Sequence, residues 1–424
     1  VYHPARIAAA ELRLAARWQA YFPSGFTRHP AEESIARAES LAEVWDPLTL
    51  TERRPLTPPE LHFVRNERNL CSVDYRYFGE RYIRINKEGQ ELAPLFPLWE
   101  SQALILGEMA RIEQSRYEEG HPDGILIDVL KGRQLGCSTL AQSCVAHRVI
   151  TQPYVKALIA SDTPDNSGSD GLFGMAELLI SNLPWWLKPK ETFHTKNRHI
   201  HFETGSLLRT EAGKSMKGGL TEKGGSKGQM GRSKTYSVLH LSELSTWEHA
   251  EQIDDSLMPA VPRTPRTLAF LESTAKGRAN WWHLEWQAAV RGRSRRQAVF
   301  IPWYAERTKY WLPPPPLWAP SGDTLAFARR AELEGPKYMR RAVTLSREQL
   351  YWYEVSKLEF TEKGVLYKFL EEYPATPEEA FQYSGRSIFP LAVQERIKEQ
   401  ARPMLCALEV APKRELQQAL GTRV

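Results

Sequence analysis

Lys131-Gly132-Arg133-Gln134-Leu135-Gly136-Cys137-Ser138-Thr139-Leu140, KGRQLGCSTL, reads as a phosphate-binding loop in which one residue has been exchanged. The usual pattern G-x-x-x-x-G-K-[ST] carries a lysine before the Ser/Thr, where its ammonium neutralises the terminal phosphates. Here Cys137 holds that place, while Gly136 keeps the close-approach glycine and Ser138 keeps the hydroxyl that touches Mg2+. Counting back five residues from Gly136, Lys131 stands at the place of the usual first glycine, and Arg133 sits inside the loop. Either cation can fold over the phosphates, or both are solvated charges on a turn.

The surroundings favour the first reading. The apolar run GILIDVL (124–130) predicts a strand entering the loop, and TLAQSCVAHRVI (139–150) a helix leaving it. That arrangement aims backbone N–H groups and a helix N-terminus at an anion. Further strands are expected at YVKALIASD (154–162), HIHFET (199–204), TYSVLHLSEL (235–244), TLAFLEST (267–274) and QAVFIPWY (297–304). Helices are expected at 95–112 and 172–183, and the aromatic run YRYFGERYIRINKEG (75–89) has helical periodicity throughout. Strands alternating with helices at this spacing predict an α/β fold with a mostly parallel central sheet.

Composition sets the outer limits. With 42% apolar and 25% charged residues the chain is an ordinary globular one, and 424 residues can form two or three domains. No apolar run approaches the roughly 20 residues of a spanning helix, so no membrane partner is expected. The four cysteines (Cys71, Cys137, Cys144, Cys406) show no C-x-x-C pairing and read as reduced thiols, with a structural zinc site disfavoured. A net charge of +5 permits a polyanionic partner without requiring one. Residues 209–234 hold seven glycines and seven Lys/Arg against two acids, and we expect a mobile surface loop there. Its Lys214, Lys217, Lys223 and Lys227 are candidate contacts to DNA phosphates, as is the basic cluster Arg291, Arg293, Arg295 and Arg296. A solvated loop explains the same charges.

Two further motifs follow the loop. VLHLSE (238–243) has the layout of a Walker B strand, with Ser242 at the usual aspartate position beside the metal and Glu243 at that of the general base. LESTAKG (271–277) is a strand ending in small hydroxyls, and in additional-strand ATPases such residues, here Ser273 and Thr274, sense the γ-phosphate. All three motifs fall at strand C-terminal ends, where open α/β sheets bind ligands.

KGRQLGCST, GRSKTYSVLHLSELSTW (231–247), LESTAKG and YPATPEEAFQYSGRSIF (373–389) together resemble the large subunit of a tailed-phage terminase, the genome-packaging motor. The resemblance runs from about residue 75 to 389 and includes FIPW (300–303) after the third motif. It implies a P-loop NTPase of the additional-strand type with a helical lid, binding ATP and Mg2+. Several terminases carry the loop lysine at the loop's entrance, as at Lys131. The resemblance places an adenine-contacting glutamine at Gln102 and an arginine finger at Arg232, eleven residues before Glu243. Nucleotide contacts would come from Lys131, Gly132, Arg133, Gln134, Gly136, Cys137, Ser138 and Thr139, catalysis from Glu243, Arg232 and Thr274, and metal contacts from Ser138 and Ser242. The implied partners are double-stranded DNA, a terminase small subunit, a portal protein and further copies in a homo-oligomeric ring, working in the host cytoplasm at the procapsid portal.

The expected organisation is an N-terminal helical arm (1–74), a P-loop ATPase domain (75–304), a lid or linker subdomain (305–390) and a helical start (391–424) of a linker towards a nuclease domain that this chain lacks. DNA cleavage by this chain alone is therefore not expected. The competing reading is a catalytically inactive nucleotide-binding module that docks on DNA or a portal, motivated by Cys137 and Ser242. A helicase of related fold lacks recognisable motifs between the first two strands.

Overall fold

The computed structural model describes residues 26–87, 90–120, 123–195, 198–213, 235–278 and 280–381. Arg232, the four loop lysines, 391–424 and the end of the 373–389 motif therefore lie outside the described residues.

Among the described residues, helices α1 (Ala31–Ala42), α2 (Pro58–Val73) and α3 (Tyr75–Tyr82) come first, with a small β1 (Trp45–Asp46) and β2 (Thr51–Glu52) pair between α1 and α2. A capping box of Thr57 and Glu60 with proline in the first turn starts α2, which satisfies two of the N–H groups a helix start leaves open. The run at 75–89 is not helical throughout. Ile83 turns extended (φ −80°, ψ 124°) and the chain enters the hairpin β3 (Arg84–Lys87) and β4 (Gln90–Pro94). Helix α4 (Glu100–Glu118) then leads to the sheet.

The sheet elements in chain order are β5 (Ile125–Lys131), α5 (Cys137–Thr151), β6 (Lys156–Ser161), α6 (Pro164–Ser167), α7 (Leu172–Ser181), β7 (Glu191–Thr195), β8 (His199–Phe202), β9 (Leu207–Ala212), β10 (Val238–Ser242), α8 (Ala250–Leu257), β11 (Leu268–Ser273), α9 (Trp281–Val290) and β12 (Gln297–Ile301). In space the order is β12-β5-β11-β10-β6-β9-β8-β7, parallel from β12 to β9, with β8 and β7 added antiparallel at one edge. Strand β11 lies between the loop strand β5 and the second-motif strand β10, the insertion that defines an additional-strand P-loop NTPase. This is the α/β fold expected, with a further correction. Residues 209–212, assigned to a mobile loop on composition, complete β9 and pair with β6.

The sheet is buried on both faces, as parallel sheets are. Alternation along β5 shows how: Ile125, Ile127 and Val129 face the core made with α5 and α7, while Leu126 and Leu130 face the core made with α8 and α9. Asp128 shares the second face, fully buried, and meets the Arg296 guanidinium at 3.0 Å. Arg296 also holds Asp254 at 2.6 Å and Glu285 at 2.7 Å, so it is an internal hub and not a surface contact for DNA. Arg295, at 3.1 Å from Asp123, is likewise engaged.

The N-terminal helices do not stand apart. Leu41, Phe63, Leu70 and Cys71 share one core with Ile127 and Val145. After β12 come helices α10 (Gly322–Met339), α11 (Arg347–Glu362), α12 (Leu366–Glu372) and α13 (Pro377–Ala380), and the first three pack on an aromatic cluster around the fully buried Trp303. Phe327 and Tyr353 stack on that indole at 6.2 and 6.0 Å, and Trp352 lies against it at 4.7 Å.

Candidate nucleotide site

The loop 131–137 leaves β5 and turns into α5 through two left-handed residues, Gln134 (φ 51°) and Gly136 (φ 69°). A side chain at Gly136 would bring Cβ within 2.7 Å of Gln102 Nε2 and 3.2 Å of the Trp99 ring, so both the dihedral and the space call for glycine. Gly136 caps α5 without a side-chain hydrogen bond, which leaves first-turn N–H groups available to an anion. Ser101 Oγ donates to Leu135 O at 2.8 Å and Gln102 Nε2 to Gly136 O at 3.0 Å, bracing the loop from α4. Gln102 is thus buried beneath the loop, its amide also accepting from Trp99 N at 3.1 Å.

Cys137 does not point into the mouth of the loop. Its thiol is buried and stays protonated, burial pushing it up to about 12. Lys131, the last residue of β5, is the buried cation instead. Its Nζ lies 3.1 Å from Glu243 Oε1 and 3.0 Å from Glu272 Oε2. Burial works against its charge, but Glu272 and then Glu243 hold the ammonium proton more tightly than usual. Arg133 is exposed and turns to the helical segment, pairing with Glu372 at 3.0 Å, while its backbone N–H donates to Glu372 O at 2.9 Å. The two cations left open by the sequence therefore occupy different places.

Glu272 is the centre of the site and was not singled out from the sequence. It is the penultimate residue of β11, has no exposed surface and pairs in register with Ser242. Its Oε1 accepts from Ser138 Oγ at 2.5 Å and Ser242 Oγ at 2.9 Å, and His240 Nε2 lies 3.3 Å away. Gln142 reaches the other nitrogen of His240 at 2.6 Å. Burial opposes its charge, yet Lys131, then His240 and Ser138, hold the Glu272 carboxyl well below the usual carboxylate range. The signal was present: an ionisable residue inside a strand of otherwise apolar residues must find a buried partner.

Glu243 follows β10 in a left-handed conformation (φ 58°), anchored by its N–H donating to Glu272 O at 2.8 Å. Backbone held in that region by a non-glycine residue concentrates at functional sites. Ser273 is fully buried, its Oγ accepting from Ser245 N at 3.0 Å, whereas Thr274 is half-buried just beyond the strand. Gly132 N donates to Ile301 O at 3.1 Å, and Gln134 and Thr139 flank the turn, exposed and half-buried. Two further residues unforeseen in the sequence close the region. Glu371 accepts from Gly277 N at 2.7 Å while its neighbour Glu372 holds Arg133.

The arrangement offers an anion seat (loop and α5 terminus), an ammonium, a hydroxyl beside a carboxylate, and a second carboxylate partly open to solvent. Magnesium nucleotide fits that donor set. The single ammonium between two carboxylates stands where a more highly charged cation would be matched, and Glu272 Oε2 meets it at 3.0 Å.

No family model matches the chain, and no curated protein matches it. Among solved structures it is similar to the large terminase ATPase domain of Thermus phage P74-26, at 14% identity and a TM-score of 0.34, over 62% of this chain and 92% of that one. It is also similar to the large terminase of a thermophilic bacteriophage in complex with ATP-gamma-S, at 13% identity and a TM-score of 0.33, over 55% of this chain and 49% of that one. A form of the same terminase in complex with ADP gives a TM-score of 0.33 at 12% identity, over 48% of this chain and 46% of that one.

Proposed function

We propose that this chain is the ATP-hydrolysing motor subunit of a phage terminase and drives double-stranded DNA into a procapsid. The observation that carries the reading is the convergence of Lys131 and Ser138 (end of β5 and start of α5), Glu272 (β11) and Glu243 (just after β10) at the C-terminal ends of three adjacent parallel strands. The four motifs that resemble terminases support the choice among P-loop NTPases.

In the proposed reaction the loop 131–139 cradles the phosphates and Lys131 moves from its carboxylates to the γ-phosphate oxygens. Glu243 accepts a proton from the attacking water as its oxygen bonds to the γ-phosphorus, and the bond to the β–γ bridging oxygen breaks. Bound Mg2+ would neutralise charge on the β- and γ-phosphates, with Ser138 the loop hydroxyl beside it. Ser273 and Thr274 relay the presence of the γ-phosphate, Gln102 lies on the adenine side, and Arg232 is offered to a neighbouring copy. The segment 305–390 acts as the lid. Small subunit, portal, a ring of copies at the procapsid portal in the host cytoplasm, and DNA contacts from Lys214, Lys217, Lys223 and Lys227 complete the proposal. The inactive-module reading draws on Ser242, which is not an acid.

Steady-state ATPase on the purified chain with and without double-stranded DNA tests it, beside Glu243→Gln and Lys131→Ala. A DNA-stimulated rate lost in both variants is expected, with losses on the order of 100-fold or more. Equal rates in wild type and Glu243→Gln would leave only the inactive module.

A further inference from the structure

Ser242 occupies the position at which a Walker B strand carries its aspartate, and a neutral hydroxyl is a poor anchor for a divalent cation. Its Oγ is nonetheless committed, donating at 2.9 Å to Glu272 Oε1, the oxygen that also accepts from the loop hydroxyl Ser138. We propose that Glu272 supplies the carboxylate of the divalent-cation site, acting from the neighbouring strand β11 in place of the acid missing at Ser242. This rests on the nucleotide-binding reading of 131–139.

Topology makes the substitution physically simple. Strand β11 runs between β5 and β10, with Glu272 beside Ser242 on one side and Val129 on the other. A carboxylate on this middle strand reaches the loop hydroxyl as directly as one on β10. The bonding of its two oxygens differs. Three donors from Ser138, Ser242 and His240 fix Oε1, while Oε2 is ion-paired with the Lys131 ammonium at 3.0 Å.

Charge points the same way. Lys131 supplies one positive charge to two carboxylates, Glu243 and Glu272. Once that ammonium serves phosphate oxygens, a fully buried carboxylate is left without a cation, a state proteins avoid at considerable cost. A divalent cation arriving with the nucleotide restores the balance, so the ammonium is its stand-in. Magnesium keeps several waters and takes one or two carboxylates besides substrate phosphates. Among the described residues no group of three or more His, Cys, Asp or Glu is placed to hold a metal ion.

The test uses the full chain, Mn2+ followed by electron paramagnetic resonance, and a non-hydrolysable fluorescent ATP analogue. Glu272→Gln is expected to weaken Mn2+ binding in the presence of the analogue by about 10–100-fold. Analogue affinity in EDTA should hold or tighten, because Lys131 loses a competitor. Moving the acid back, Glu272→Gln with Ser242→Asp, should recover most of the Mn2+ affinity. Unchanged Mn2+ affinity in Glu272→Gln, or loss in Glu243→Gln alone, overturns the proposal while leaving nucleotide binding standing. A wild-type chain that binds no analogue in EDTA or with Mn2+ overturns both. Should Glu272→Gln not fold, Glu272→Asp keeps the charge but withdraws the carboxylate. Weaker Mn2+ binding there with intact analogue affinity in EDTA supports the assignment, and unchanged Mn2+ binding overturns it.

Discussion

Lys131→Met removes the cation and keeps most of the side chain's volume, which isolates the charge term at the centre of the site. Lys131 is nearly inaccessible and Glu272 wholly so, and the two meet at 3.0 Å. Removing one member of such a pair costs about 3–5 kcal/mol, because the other is left as a buried charge. The donors from Ser138, Ser242 and His240 remain on Glu272 Oε1, and hydrogen bonds to a charged group stabilise by about 1.5–3 kcal/mol each, so the lower end, about 3 kcal/mol, is expected. The pH dependence should change sign. In the wild type the Glu272 carboxyl sits below its ordinary value of 4.5, so its contribution is present above that pH and lost on acidification. Without Lys131 the largest remaining influence is burial, which raises the carboxyl. The variant then binds a proton more readily folded than unfolded and loses stability as pH rises through the shifted value. Urea unfolding at pH 4, 5.5 and 8 measures both effects. The double variant Lys131→Met/Glu272→Gln should regain about 2 kcal/mol relative to additivity, since matched removal of a buried pair is often nearly neutral. A loss under about 1 kcal/mol at pH 8, with the wild-type pH slope retained, would refute the idea that this ion pair stabilises Glu272.

Two more outcomes follow from the same geometry. Arg296→Met strands Asp128, Asp254 and Glu285 and should lower the unfolding free energy by about 3–5 kcal/mol, while filter-binding affinity for DNA, per folded molecule, stays unchanged. Gly136→Ala forces a side chain into a left-handed position against Gln102 and Trp99. It should cost about 1–3 kcal/mol in urea unfolding and weaken nucleotide binding, whereas an unaltered unfolding midpoint would show that the loop relaxes freely.

The central strands were legible because parallel strands buried on both faces are near-continuous apolar runs, as in 125–130, 238–241 and 268–271, each bounded by turn chemistry. Strand β9 was not, since LLRTEA buries only alternate residues and adjoins a glycine- and lysine-rich run whose composition dominated the reading. The hairpin after α3 was missed for a similar reason: aromatic and charged residues at 75–89 satisfy helical spacing, while Ile83 breaks it through its backbone. Within the site, Lys131, Ser138 and Glu243 were named from motif spacing. Glu272 is masked in the sequence by the hydroxyls Ser273 and Thr274 that follow it. Its role depends on β11 lying between β5 and β10, a property of strand order. Arg296 misled in the opposite sense: four arginines in six residues look like a surface patch, and its partners Asp128 and Asp254 lie 168 and 42 positions away.

The adjacent residues Glu371 and Glu372, at the C-terminal end of α12, touch two different loops: the turn after β11 through Gly277 and the loop after β5 through Arg133. Consecutive residues on a helix share a rigid backbone, so these two grips cannot move independently. A displacement common to both loops carries the helix along as a whole. A displacement of one alone must twist α12 or break a grip. The helix end therefore measures the separation of the two loops, as the jaws of a caliper do, and is blind to where either one stands.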